Sequence, residues 1–261
     1  MSDNDNMVMY DDDMQPAQKA KTGGLPGWVD WLLRFYVMLM VPFLLVVGGS
    51  RLVMSPAFLI FEYNHLPERS YSYEVGMSRE GRIEYGPYGV LYIINNEPIS
   101  YLAELELPGD LCFPQSTEPC VAFNEGELKH MEDVQVVAQG LFTAGFWNAL
   151  IVLGVGLVLW WGVGLQALRL GLMQGALLTL GLIFTGVLLA VTAWDFFFTQ
   201  FHNVFFEPGT WRFYYSDTLI RLYPERFWFE ASLVLGGLTV LGALVILGIS
   251  WWMPVGQRQA Q

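Results

Sequence analysis

Histidine occurs three times in the 261 residues, at positions 65, 130 and 202. Imidazole is the side chain whose ordinary pKa suits proton transfer near neutral pH, so these positions come first. His130 lies in Glu127-Leu128-Lys129-His130-Met131-Glu132-Asp133. On a helix Glu127 and Asp133, at i−3 and i+3, share its face, and a carboxylate there would fix the ring tautomer and favour its protonated form. The alternative is a solvated acidic face that carries an ordinary surface histidine. His202 sits in Phe201-His202-Asn203-Val204-Phe205-Phe206, a polar pair inside an aromatic run. At a bilayer edge such a pair is costly unless partnered or useful, and Asn203 adds a hydrogen-bond donor; a water-exposed interfacial histidine is the competing reading. His65, in Glu62-Tyr63-Asn64-His65, has no neighbourhood that assigns it a task.

Other chemistries lack their signatures. There is no G-x-S-x-G turn, H-E-x-x-H pair or P-loop, so a covalent acyl-enzyme has no obvious nucleophile. The three histidines match no compact zinc-site spacing, and neither a metal nor a cofactor is expected. Cys112 and Cys120 permit one disulfide, closing a short Pro-bearing loop. Arg51, near the end of an apolar run, either snorkels to the headgroups or binds a lipid phosphate or peptide carbonyl.

The elements that carry these residues are membrane helices. Hydrophobic residues make up 54% of the chain and charged ones 15%, against about a quarter charged in soluble domains. The net charge of −12 argues against nucleic acid as a partner. Residues 35–50 carry no charge; neither do the 35 residues between Asp133 and Arg169, the 25 between Arg169 and Asp195, or the 27 between Glu230 and Arg258. A crossing needs about 20 apolar residues, and only helices satisfy their own backbone in lipid over such runs. The expected fold is an all-α membrane protein with four spans at about 32–54, 140–163, 171–194 and 230–252, and a small extracytoplasmic insertion between the first two.

Lys19, Lys21 and Arg34 precede the first span, Arg169 lies between the second and third, and Arg258 follows the fourth. Segment 62–137 holds 14 acidic against 4 basic residues, and segment 194–230 holds 5 against 3. By the positive-inside rule both termini and the Arg169 turn face the cytoplasm, and all three histidines face outward. The expected organisation is a disordered acidic tail (1–26), a first membrane helix (27–61), an extracytoplasmic domain (62–137) and three membrane helices (138–261).

Within the insertion, Ser78 could cap a helix toward Asn95, weakened by Gly81, Gly86 and Gly89. The alternation over 102–107 suits a short strand. Asn124 with Glu127 resembles a capping box and predicts one helix from about 125 into the second span. Segment 194–230 holds 15 of the 40 aromatic residues, which places it at the membrane interface. In it Asp217 is expected to start a short helix through Leu222, and Pro224 suits the first turn leading into the fourth span. Gly171 and Gly175 form a GxxxG, read as helix packing.

The elements Glu125–Val134 and Phe201–Phe206, followed by Trp211-Arg212-Phe213, Asp217-Thr218-Leu219-Ile220 and Leu222-Tyr223-Pro224-Glu225-Arg226-Phe227, resemble a family of four-helix bacterial integral membrane proteins that includes the lipoprotein intramolecular transacylase. The resemblance covers about 35–252, with Glu62-Tyr63 after the first helix. It implies transfer of one acyl chain in a diacylated lipoprotein, from the sn-2 ester of diacylglyceryl-cysteine to the α-amine of the same cysteine, giving the lyso-form. It maps the essential histidines onto His130 and His202. Glycines over 81–89 depart from the plainer helix of relatives.

The expected protein is thus an acyltransferase of the cell membrane, with a lipoprotein substrate among membrane lipids. His130 and His202 act as base and oxyanion donor, in either order. Glu127 or Asp133 orients His130, Asn203 supports the site, and Arg51, Tyr63 and Arg212 position the substrate. The rival readings are a non-enzymatic membrane or lipid-binding protein and a metal-dependent membrane hydrolase.

Overall fold

The computed structural model describes residues 25–65 and 77–254; the expectations for the acidic tail up to residue 24, with Lys19 and Lys21, and for Arg258 fall outside them. In chain order the elements are α1 (Gly27–Val53), α2 (Pro56–His65), α3 (Arg79–Asn95), α4 (Ser100–Ala103), β1 (Glu106–Leu107), β2 (Cys120–Val121), α5 (Glu125–Gly162), α6 (Leu165–Thr192), α7 (Trp194–Phe205), α8 (Thr218–Leu222) and α9 (Glu225–Trp252). Helices α1, α5, α6 and α9 are long and apolar enough to cross a membrane. Each contains one of the uncharged runs. At 1.5 Å per residue the 38 residues of α5 extend about 57 Å, roughly twice the hydrocarbon thickness. Its charged first turns therefore stand outside the bilayer as part of the insertion.

The GxxxG packs two spans together. In α6, Gly171 and Gly175 lie against Val37 and Val41 of α1, where a Cβ at position 175 would come within 2.7 Å of Val41 Cβ. Helix α6 touches α9 on another side. It breaks at Ala193, and α7 then leaves along a new direction.

The insertion is built on caps. The Ser78 hydroxyl accepts from the Gly81 N–H at 3.0 Å, opening α3. Asn124 and Glu127 form a reciprocal capping box that opens α5. Ser55 accepts from the Phe58 N–H at 3.2 Å, opening α2 after the bend that ends α1. The glycines of α3 are contact points. A Cβ at Gly86 would come within 3.1 Å of Leu59 on α2, and one at Gly89 would meet the Tyr223 hydroxyl, which donates to the Gly86 carbonyl. The helix forms despite its glycines because they let α2 and the start of α9 approach closely.

Two expectations need correction. The alternating stretch is a strand only at 106–107; Pro98 starts a turn whose carbonyl accepts from Tyr101, and residues 100–103 coil into α4. The remaining pair, β1 and β2, is antiparallel, with Leu107 opposite Cys120. The fourth span begins at Glu225, ahead of the expected 230, with Pro224 as the cap before α9. Cys112 and Cys120 are joined by a disulfide with Cα atoms 6.1 Å apart.

One buried core, including Leu59, Tyr63, Tyr92, Met131, Leu222 and Phe227, ties α2, α3 and the ends of α5 and α9 together. At its edge burial and the neighbouring Glu230 carboxylate push the Glu62 carboxyl up to about 7, against the pull of Arg226.

Candidate active site

His130 and His202 are brought together from different parts of the chain, with ring centroids 6.4 Å apart. The capping box sets the start of α5, which puts His130 in its second turn. There it is only 7% exposed. His202 lies in the last turn of α7. The return from α7 is a tight turn: the Glu207 carbonyl accepts from Thr210 at 3.2 Å across Pro208 and Gly209, and Gly209 has φ +94°. Proline followed by a glycine with positive φ is the signature of a type II turn. The turn carries Trp211 back over α7.

The surroundings of the two imidazoles are aromatic. Phe206 reaches both rings, at 5.0 Å from His130 and 5.8 Å from His202. Phe213 lies 5.4 Å from His130. Phe198 and Trp211 lie 4.1 and 4.7 Å from His202.

Hydrogen bonding distinguishes the two rings. His202 Nδ1 is 2.8 Å from the Phe198 carbonyl oxygen. A carbonyl only accepts, so Nδ1 carries the proton and the neutral ring keeps its lone pair at Nε2. Burial pushes this imidazole below its usual pKa, while the Phe198 carbonyl pulls the other way. The net lowering favours the neutral ring, with Nε2 as its free acceptor. His130 Nδ1 is buried with no hydrogen-bond partner. Leaving such a group unsatisfied costs about 1–3 kcal/mol, and in native proteins it calls for an explanation in function.

The carboxylates do not orient His130 as the spacing suggested. Glu127 is 1% exposed; it accepts from the Asn124 N–H at 2.8 Å and from the Leu219 N–H at 2.6 Å. Two backbone donors, one of them on α8, take both its oxygens. Asp133 accepts from Lys129 at 2.9 Å on the exposed side. Asn203, next to His202, is exposed. On a helix adjacent residues point about 100° apart, so it does not share the His202 face.

The residues expected to position substrate also divide. Tyr63 is buried; its hydroxyl donates to the Leu222 carbonyl and its ring stacks on Phe227 at 5.6 Å. It holds α2 against α8 and α9 and is a core residue. Arg51 and Arg212 are exposed, over the rings of Phe142 at 5.6 Å and Trp211 at 5.1 Å. Arg212 thus borders the aromatic shell. His65 bonds the Phe61 carbonyl through Nδ1 at 2.8 Å and stacks on Phe61, which is a local contact of α2. Among the described residues no three His, Cys, Asp or Glu side chains converge as a metal site would require.

Sequence reasoning missed the shell of Phe198, Phe206, Trp211 and Phe213. Aromatic density was the available signal, and it reads equally as an interfacial belt. It also missed Arg82 and Arg221, both buried; Arg82 donates to the Arg221 carbonyl at 2.8 Å and Arg221 to the Leu111 carbonyl at 2.6 Å. They tie α3 and α8 to the disulfide loop, and no local pattern announces them.

Comparison with known proteins identifies the family. The model of the family described as lipoprotein intramolecular transacylase Lit matches residues 35–228. An uncharacterized protein of Aquifex aeolicus is 29% identical over 221 residues, covering 83% of this chain and 92% of its own. The structure of the membrane integral lipoprotein intramolecular transacylase Lit from Bacillus cereus aligns with a TM-score of 0.70 at 16% identity, covering 87% of this chain and 96% of that one. A histidine-to-arginine variant of it aligns at 0.61. The structural likeness shows the shared fold, and the family match runs from before Arg51 to past Arg212. The chain belongs to the lipoprotein intramolecular transacylase family and is a multi-pass membrane acyltransferase.

Proposed function

We propose that His202 is the general base and His130 a hydrogen-bond donor to the oxyanion, in transfer of an acyl chain from the sn-2 ester of a diacylglyceryl-cysteine to the α-amine of that cysteine. The observation that carries this reading is the pairing of two imidazoles from α5 and α7, one with its tautomer set by Phe198 and the other with an unsatisfied Nδ1. The amine nitrogen attacks the ester carbonyl carbon while His202 Nε2 takes the amine proton. The tetrahedral oxyanion is met by an N–H of His130. The bond to the sn-2 oxygen then breaks, and the His202 imidazolium returns the proton to that oxygen. One amide and one hydroxyl result, with nothing gained or lost.

Donor and acceptor are parts of one molecule, so alignment supplies much of the rate. The α-amine has a pKa near 8 in water. An aromatic shell disfavours its charged form, which lowers the cost of presenting it as a nucleophile. No nucleophilic Ser or Cys is needed.

Substrate and product are isomers, which makes the test sharp. Purified protein incubated with a diacylated lipopeptide should leave its mass unchanged while the free amine disappears and fragmentation places an acyl chain on nitrogen. Loss of one fatty-acid mass with the amine still free would mean hydrolysis and would overturn the assignment.

The placement of the basic residues supports an orientation with both termini and the Arg169 turn in the cytoplasm and the histidine pair at the outer leaflet. A membrane-impermeant thiol reagent should label a cysteine placed at Tyr214, which is exposed, in intact cells. Labelling of a cysteine beside Arg169 instead would invert the topology.

A further inference from the structure

A tetrahedral oxyanion is usually held by more than one donor, and the exposed Asn203 does not share the face of His202. The strongest unassigned group near the pair is Trp211. It is 8% exposed, and its Nε1 is buried with no hydrogen-bond partner. Two such atoms, His130 Nδ1 and Trp211 Nε1, belong to rings that both lie near His202. The Trp211 ring lies 4.7 Å from His202 at an interplanar angle of 32°. Phe198 meets it edge-on at 6.1 Å, and Arg212 covers one face at 5.1 Å. An indole N–H donates and cannot accept. It therefore has no use for the amine proton, and a carbonyl oxygen or oxyanion is the partner it fits. Packing alone would be served by phenylalanine, which already supplies the rest of the shell and leaves no unsatisfied donor.

We propose that Trp211 is a catalytic residue whose Nε1–H donates to the carbonyl oxygen of the migrating acyl ester, alongside His130, while His202 handles the proton. This rests on the acyl-transfer reading given above. It assigns the turn at Pro208 and Gly209 a purpose, since that turn returns the indole to the histidine pair.

The test separates the N–H from the ring. Trp211 is replaced by 3-benzothienylalanine, in which sulfur stands where the N–H was, and transfer is followed on the diacylated lipopeptide. The kcat should fall by about two orders of magnitude, with KM within a few-fold. Fluorinated tryptophans with a more acidic N–H should raise kcat, a response that a purely structural role would not give. Wild-type kcat in the benzothienyl variant would overturn the proposal, even if Trp211→Ala were inactive or unfolded. If that variant is fully active while His130→Ala and His202→Ala are dead, only this inference falls. If the histidine variants transfer normally, the underlying reading falls with it.

Discussion

His202→Ala is expected to slow acyl transfer by about two to three orders of magnitude while the protein still inserts and folds. The ring is only half-buried, and its one hydrogen bond is to the Phe198 carbonyl of its own helix, so truncation removes the base without orphaning a donor elsewhere. His130→Ala should lose a similar factor, because a base cannot replace an oxyanion donor. The pH profiles should differ. Burial holds the folded His202 imidazole below its usual value. Beside any limb from the substrate amine, whose pKa is near 8 in water, protonating the ring removes the Nε2 lone pair and should give an acid limb below the ordinary imidazole range near 6.5. That acid limb should be missing from the residual activity of His202→Ala. Single-turnover rates on a diacylated lipopeptide across pH check both. An acid limb in this low range that survives unchanged in His202→Ala would contradict the assignment of His202.

Glu127→Ala should produce the largest loss of stability in the insertion, about 2–6 kcal/mol. The carboxylate is almost completely buried and its oxygens serve the Asn124 and Leu219 N–H groups. Truncation strips two donors of their partner, each worth about 1–3 kcal/mol when buried. Since Glu127 lies three residues before His130 and bridges α5 to α8, activity should fall along with thermal stability in detergent. Asp133→Asn should do neither. It removes an exposed pair with Lys129, and such pairs contribute under about 1 kcal/mol. Loss of activity in Asp133→Asn with unchanged melting would restore Asp133 as the residue that orients His130.

The contrast between these carboxylates shows what was legible from the chain alone. Four spans stand out because charge is excluded from lipid, and the continuous helix from 125 because Asn124 and Glu127 sit at capping-box spacing. Both are local signals. That Glu127 shares a helix face with His130 was also legible, but what a side chain bonds is decided by whatever packs against that face. Here it is the Leu219 N–H, from a helix 92 residues further on. The same limit applies to Tyr63, expected to position the substrate, whose hydroxyl instead meets Leu222 in the core. In α3 the glycines read as weakness until the close approach of Leu59 and Tyr223 is known. The aromatic shell was visible as composition and invisible as a structure, because rings favour a headgroup layer and a buried site alike.

The central claim is that His130 and His202 form one catalytic unit, and a double-mutant cycle tests it most directly. Residues that act as a unit are strongly non-additive. Transfer rates for His130→Ala, His202→Ala and the double variant, each shown to be inserted and folded, should find the double variant within about tenfold of the slower single one. Normal conversion of diacyl lipopeptide to the N-acylated isomer by the double variant, or losses that simply multiply, would contradict it.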